Sequence, residues 1–411
     1  MIVSERGARS RDSGRLRSPR PLLRHQLPSG RDAIERPNII NHCKVQVHTG
    51  KAPLMRSSEE ITRRRFWSGR KVAAAGAIAA CLTASACGGG AANTGTTTGS
   101  GATGSGSLTP ITIQLALIPP KMIFMGFYVA QAEGFFARNG LQVTLQGQPT
   151  GNQAVRGLAA GAGTFAAGGT DANVAADAAG EDLVAIWSYG ADDLSVIAAD
   201  SVSSLAGLKG KVIGITDKAG PAYSLPVLAL NSVGLQADAA QYVILGGRPA
   251  LVTALASGRI QASAFHVDDG LALVQKDPHV RVLAQMNKVA PQWWYGAVSV
   301  KKSYAQSHPK VVTDFLTAMI EAQKWMYSHP AQTIALAVKD TQEDPSVVTK
   351  AYNQMAKDHD WSTDAGFTMS QVSYTINQYK HDGVIPSSSS LSAASIVDLS
   401  YINTVLSKLG S

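Results

Sequence analysis

Cysteine is all but missing from this 411-residue chain. There are three, Cys43, Cys81 and Cys87, and none lies beyond Cys87. The long remainder therefore has no disulfide framework, no thiolate metal site and no cysteine nucleophile. The nine histidines are scattered without zinc-ligand spacing, so no metal or cofactor is expected. No Gly-x4-Gly-Lys-Ser/Thr loop occurs, so the chain is not expected to hydrolyse ATP itself. An excess of basic charge is also missing once the chain is divided. The first 86 residues hold 17 of the 37 basic and 6 of the 29 acidic side chains. What remains carries 20 basic against 23 acidic groups, so the formal +8 gives no support to nucleic-acid binding.

The apolar segment 72–84 is too short to cross a bilayer. It is preceded by Thr62-Arg63-Arg64-Arg65-Phe66-Trp67, which resembles a twin-arginine export signal, and followed by Ala84-Ser85-Ala86-Cys87, which resembles a bacterial lipobox. That resemblance makes 55–86 a lipoprotein signal peptide, cleaved before Cys87, whose thiol then carries lipid. Residues 1–54 are Arg- and Pro-rich with no hydrophobic period, and Met55 is expected to be the true start. Residues 87–107 are almost wholly Gly, Ala, Thr and Ser. They read as a flexible tether with a reach of about 25 Å.

From Leu108 onward, strand-like apolar runs alternate with helix-like ones, the α/β signature. Strands are read at 111–117, 141–145, 164–167, 183–189, 211–216, 242–245 and 262–265. Helices are read at 127–138, 152–160, 223–233, 249–256 and 311–326, with mostly helical sequence to Leu409. Gly168-Gly169-Thr170-Asp171 sits between a strand and a helix. Its glycines let backbone come close to a neighbour, while Thr170 and Asp171 can cap the helix and leave its free N–H groups facing a ligand.

The stretches FYVAQAEGFFARNGLQVTL, AVRGLAAGAGTFAAGGTDANVAADAAG and LVAIWSYG resemble the solute-binding proteins of ABC importers. The group is the one that binds nitrate, alkanesulfonates, taurine and thiamine-pyrimidine precursors. The resemblance continues through SSLAGLKGKVIGIT, LVTALASGRIQASAF and YGAVSVKKSYAQSHPKVVTDFLTAMIEAQKW. It implies an α/β, two-lobed periplasmic-binding-protein fold of type II, with a cleft between the lobes and two crossover strands as the hinge. The first lobe would be 108–194 with a return at 297–411 that includes the C-terminal helices, and the second 195–296. The implied partners are a transmembrane permease and its ATPase. The chain itself would be a monomer, not an enzyme, lipid-anchored on the outer face of the cytoplasmic membrane.

Ligands of such a fold lie outside the carboxyl ends of strands. Four loops meet that condition. In 119–122, Lys121 and Met122 follow the first strand; Lys121 is read as solvated, with contact to an anionic ligand as the other reading. Gly168, Gly169, Thr170 and Asp171 are read as a cradle for one polar end of the ligand. In 217–224, Pro221 suits a first helical position, so the exposed N–H groups of Ala222 and Tyr223 offer an anion or carbonyl site, and Gly220 and Ser224 beside them are also read as ligand-binding. Tyr223 either stacks on a planar ligand or stands against the core.

In 265–270, His266, Asp268 and Asp269 occupy a loop where sulfonate-binding relatives often carry Trp and Pro. Paired carboxylates favour a ligand with NH donors, such as an aminopyrimidine or an amine. The competing reading has one of them capping a helix at 271–275 and the other in water. Trp187 and Tyr189 end one crossing strand, while Trp293, Trp294 and Tyr295 open the other. Neighbours on a strand face opposite ways, so at most one tryptophan of that pair, taken as Trp294, meets the cleft. The expectation is a receptor that closes its lobes on a small, planar or nitrogen- or sulfur-containing solute. The alternatives are a pyrimidine-synthase-like enzyme, disfavoured by the missing cysteines, and an interaction lipoprotein that has lost transport.

Overall fold

The computed structural model describes residues 107–218 and 221–410; the export segment, Cys87 and Gly220 lie outside the described residues. Among the described residues, no helix is long and apolar enough to cross a membrane.

Strand β1 (Thr109–Ala116) pairs in parallel with β2 (Leu141–Gln148) and β3 (Phe165–Gly169). The inner residues of β1 and all of β3 are buried, as expected for parallel strands covered on both faces. Two helices, α1 (Met125–Ala132) and α2 (Phe135–Arg138), replace the single one read at 127–138. Gly134 makes the break: its φ of 72° is open to glycine but cannot continue a right-handed helix. Helix α3 (Gly151–Ala159) starts where the Thr150 hydroxyl accepts the Gln153 N–H at 3.2 Å. Helix α4 (Thr170–Ala178) leaves β3 directly, and β4 (Leu183–Trp187) follows.

Residues 188–194 then carry the chain to a second sheet. Its elements in order are β5 (Ser195–Ala199), β6 (Val212–Ile215), α5 (Pro221–Asn231), β7 (Gln241–Ile244), α6 (Arg248–Ala256), β8 (Ala262–Phe265), α7 (Val267–Lys276) and β9 (Val280–Gln285). The strands lie in the order β7-β6-β8-β5-β9, with β5 antiparallel to both neighbours. The chain returns through α8 (Met286–Val289) and residues 290–295. Strand β10 (Gly296–Lys301) then inserts antiparallel between β3 and β4, which completes the first sheet as β2-β1-β3-β10-β4. Each sheet therefore takes one antiparallel strand that arrives from the other sheet.

The rest is helical: α9 (Lys302–Ser307), α10 (Pro309–Ser328), α11 (Pro330–Thr341), α12 (Pro345–Asp358), α13 (Met369–His381), α14 (Ala393–Ile396) and α15 (Ser400–Leu409). Helices α10, α11 and α12 each open with proline, whose missing N–H would have no helical partner there. Phe315 of α10 stacks on Phe165 of β3 at 4.3 Å, fixing the long helix to the first sheet. Burying one such ring is worth about 1.5–3 kcal/mol. The segment after α12 braces the first crossing. Gly190 forms an antiparallel bridge with Trp361, and the Ala191 N–H donates to the Asp360 carbonyl at 2.8 Å.

Candidate binding cleft

A cavity of about 370 Å³ lies between the two sheets. From the first sheet come the loops after β1 (116–121), β2 (149–152) and β3 (Gly169 and Asp171). From the second come those after β6 (216–217 and 221–222), β7 (246–249) and β8 (264–266 and Asp269). Tyr189, Leu194 and Tyr295 of the two crossings close its floor. Each loop leaves the carboxyl end of a strand, where α/β folds hold ligands, and the size suits a small organic molecule.

At one end the charges are tightly paired. Helix α7 begins at Val267, with His266 in the N-cap position, so Asp268 and Asp269 fall in its first turn rather than before it. Neither is in water: they are 0 % and 2 % exposed. Asp268 accepts the Asp269 N–H at 3.0 Å and the Met122 N–H at 3.4 Å. The expectation of a solvated Lys121 fails for the same reason. Lys121 is 2 % exposed, with Nζ 2.6 Å from Asp269, 3.8 Å from Asp268 and 3.6 Å from Glu343. Arg248, at the start of α6, reaches the same Asp269 oxygen at 2.6 Å and Glu343 at 3.0 Å. Burial alone would lower the Lys121 pKa, but the charges of Asp268 and Asp269 outweigh it and hold the value above the ordinary one. Burial and the Asp268 charge push Asp269 upward, against the pull of Lys121 and Arg248. Lys121 belongs to a loop of the first sheet and Asp269 to a helix of the second, so the cluster ties the two walls together.

At the other end the glycine turn works differently from the cradle read in the sequence. Gly169, not Thr170, holds the N-cap position of α4, and no side chain caps it. The Thr170 hydroxyl donates to the Trp294 carbonyl at 2.6 Å and lies 3.3 Å from the Tyr379 hydroxyl; its N–H donates to the Tyr295 carbonyl at 3.0 Å. Thr170 thus serves the second crossing. The close approach that Gly168 permits is to backbone, since a Cβ there would meet the Gly151 carbonyl at 3.1 Å, whereas a Cβ on Gly169 would meet the side chains of Asp171 and Pro221. Of the four residues, Gly169 and Asp171 line the cleft. Asp171 is 2 % exposed, and its Oδ2 has no hydrogen-bond partner. Burial, then the charge of Asp217, push its carboxyl up to about 8. Asp217 itself accepts from Asn152 at 3.3 Å, a bond that again joins the two walls.

Between these ends, His266 Nδ1 lies 3.0 Å from both carboxylate oxygens of Asp193. Burial alone would lower the imidazole pKa, but the charge and hydrogen bond of Asp193, with Asp268 and Asp269, raise it. Asp192 next door accepts the Leu194 N–H, and burial pushes its own pKa well up.

The aromatic expectations are sorted by the crossings. Trp187 is buried and donates to the Asp364 carbonyl at 2.8 Å, away from the cleft. Trp293 and Trp294 precede β10 instead of standing on it. Trp293 packs edge-on against Tyr379 at 5.0 Å, and Trp294 packs tilted on Phe367 at 5.1 Å. Neither lines the cleft; Tyr295 does, facing Tyr189, whose hydroxyl donates to the Gly168 carbonyl. Tyr223 stands edge-on to Tyr242 at 5.0 Å, outside the cavity lining, as do the buried Met122, Asp268 and Ser224; Ala222 reaches it. The reading of the sequence missed Phe124, Gly151, Asn152 and Arg248, and named the loop that opens at Asp217 without giving that side chain a role. Gly246-Gly247-Arg248-Pro249 carries a legible signal, glycines before a proline at a helix start. Among the described residues, no group of three or more His, Cys, Asp or Glu side chains could hold a metal ion.

A family profile described as NMT1/THI5 like matches residues 121–333, more than half of the chain. The chain belongs to the NMT1/THI5-like family. One relative of this NMT1/THI5-like chain, the binding protein YtlA of Bacillus subtilis (strain 168), is 23% identical over 263 residues, covering 61% of this chain and 78% of its own length. The binding protein BAB2_1146 of Brucella abortus (strain 2308) is 26% identical over 212 residues, covering 51% and 66%. Among solved structures, the alkanesulfonate-binding protein SsuA of Xanthomonas axonopodis pv. citri, bound to MOPS, aligns with a TM-score of 0.61 and 18% identity over 72% of this chain and 100% of its own. The periplasmic nitrate-binding protein NrtA of Synechocystis PCC 6803 aligns with a TM-score of 0.61 and 11% identity, over 74% and 89%. The NMT1/THI5-like chain therefore has the periplasmic-binding-protein fold.

Proposed function

We propose that this chain is the extracytoplasmic receptor of an ABC importer. It captures a small organic solute between its lobes and presents the closed form to a permease, whose separate ATPase drives transport. The observation that carries this reading is the cleft itself, on which loops from six strand ends of two sheets converge. A solute that touches both walls favours the closed arrangement by its differential affinity for it. The relatives named as binding proteins, and the likeness in fold to SsuA and NrtA, support the same reading. Export by the twin-arginine-like segment, a lipid on Cys87 and the Gly-rich tether would keep a monomeric receptor beside the membrane.

The test is ligand binding followed by tryptophan fluorescence and thermal unfolding, with sulfonates, nitrate, aminopyrimidines and amines. Trp187, Trp293 and Trp294 flank the crossings and report on lobe closure. A ligand at a hundred times its Kd should add about 2.7 kcal/mol of stability. If no compound in a broad panel changes either signal, the receptor reading is wrong.

A further inference from the structure

We infer that the cleft takes a ligand with a protonated nitrogen head, an amine or an amidine, on a small apolar body, and that Asp171 pairs with that head. The inference rests on the receptor reading and narrows its ligand. The cations that line the cleft are already engaged. Lys121 and Arg248 share Asp269 and Glu343, and Lys121 also pairs with Asp268, two positive groups against three carboxylates, while His266 is held by Asp193. A sulfonate or nitrate entering this cavity would find no cation without a carboxylate and would desolvate against acidic neighbours. The unmet demand is of the opposite sign. Asp171 lies on the cleft wall, its Oδ2 has no hydrogen-bond partner, and Asp217 stands near enough to raise the cost of its charge. Once ionised, Asp171 is a buried acceptor that an N–H donor completes, and a cationic donor also offsets the repulsion from Asp217. The nearby walls are aromatic and apolar, from Phe124, Tyr189, Tyr295 and Leu117, which suits an apolar body and the face-on approach of a cation to a ring.

The groups that face Asp171 fix the proton balance of binding. They are Asp217 from the loop after β6, Tyr189 and Tyr295 from the two crossings, and Tyr379 from α13. Burial pushes all three phenols well above their ordinary value, so they stay neutral and none offers positive charge. In the empty cleft Asp171 holds its proton until about pH 8. A cationic ligand stabilises the ionised carboxylate, so each binding event below that pH releases one proton. Affinity then rises with pH up to about 8 and levels off above it.

Calorimetric titration of the full chain with benzylamine, benzamidine, benzyl alcohol and benzenesulfonate at pH 6, 7 and 8 tests this. The two cations should bind, tightening about tenfold per pH unit with release of one proton, and the neutral and anionic probes should bind far more weakly. Asp171→Asn should weaken both cations by at least about thirtyfold and flatten the pH dependence. If that variant does not fold, the pH series on the unaltered chain decides the matter. Benzenesulfonate binding as tightly as benzylamine, cation binding that is flat with pH, or no binding of either cation would each overturn the ligand class. The broader solute panel decides the receptor reading separately.

Discussion

The two ends of the cleft treat buried charge in opposite ways. At the Lys121 end, two cations and three carboxylates interlock within 2.6–3.8 Å and leave little for a ligand to add. At the Asp171 end, a carboxylate is buried without a partner for one oxygen and beside another acid. A satisfied network holds a geometry, while an unsatisfied group waits for one. Under the ligand class proposed above, one end clasps the two walls and the other selects what lies between them.

The largest effect should come from opening the clasp. Lys121→Met leaves Asp268 and Asp269 buried side by side with Arg248 as their remaining cation, and should cost about 3–5 kcal/mol in urea unfolding. A loss below about 1 kcal/mol would mean that the cluster contributes little and the contrast between the ends is empty.

Asp171→Asn should act in the other direction on the empty protein. The folded-state pKa of Asp171 is raised from 3.8 to about 8, so its favourable contribution is full below about pH 4 and is lost as pH rises through about 8. The amide has no charge to bury. The variant should therefore match the parent near pH 4 and become the more stable of the two as pH rises to 8.5, in paired thermal melts. A destabilisation equal at both pH values would show Asp171 to be an ordinary satisfied core residue. The double variant Lys121→Met/Asp171→Asn should show near-additive stabilities, since the two ends share no hydrogen-bond partner.

Arg248→Ala is a gentler probe of the clasp. Arg248 is 37 % exposed, and solvent screens part of its pairing, so about 1 kcal/mol is expected. Asn152→Ala removes one hydrogen bond between the walls and should cost at most about 1 kcal/mol. Its clearer sign would be a larger fluorescence change on ligand addition, because the empty form would sit more open.

Much of the fold was legible because strands and helix starts are written locally. The strand before Gly168 and the helix after it follow from apolar run, glycines and helix-forming residues in one short stretch. The site was legible in its loops and not in its side chains, for a reason that distance along the chain explains. The burial of Lys121 depends on Asp269, 148 positions away, and the Thr170 hydroxyl is taken by a carbonyl 124 positions away. No pattern near either residue announces its partner. The aromatic error was smaller and of another kind. Strand alternation was applied to Trp293 and Trp294, but the strand starts only at Gly296, so Tyr295 reached the cleft in their place.

The bridge between Gly190 and Trp361 has a mechanical consequence. It splints the joint through which the first sheet hands the chain to the second, and the splint is cut from the C-terminal third of the sequence. Bending at that joint must drag the segment after α12 with it, while Glu343, just before α12, is gripped by the clasp. The C-terminal helical segment is thereby fastened to the cleft at two points, the joint between the sheets and the Lys121–Arg248 cluster.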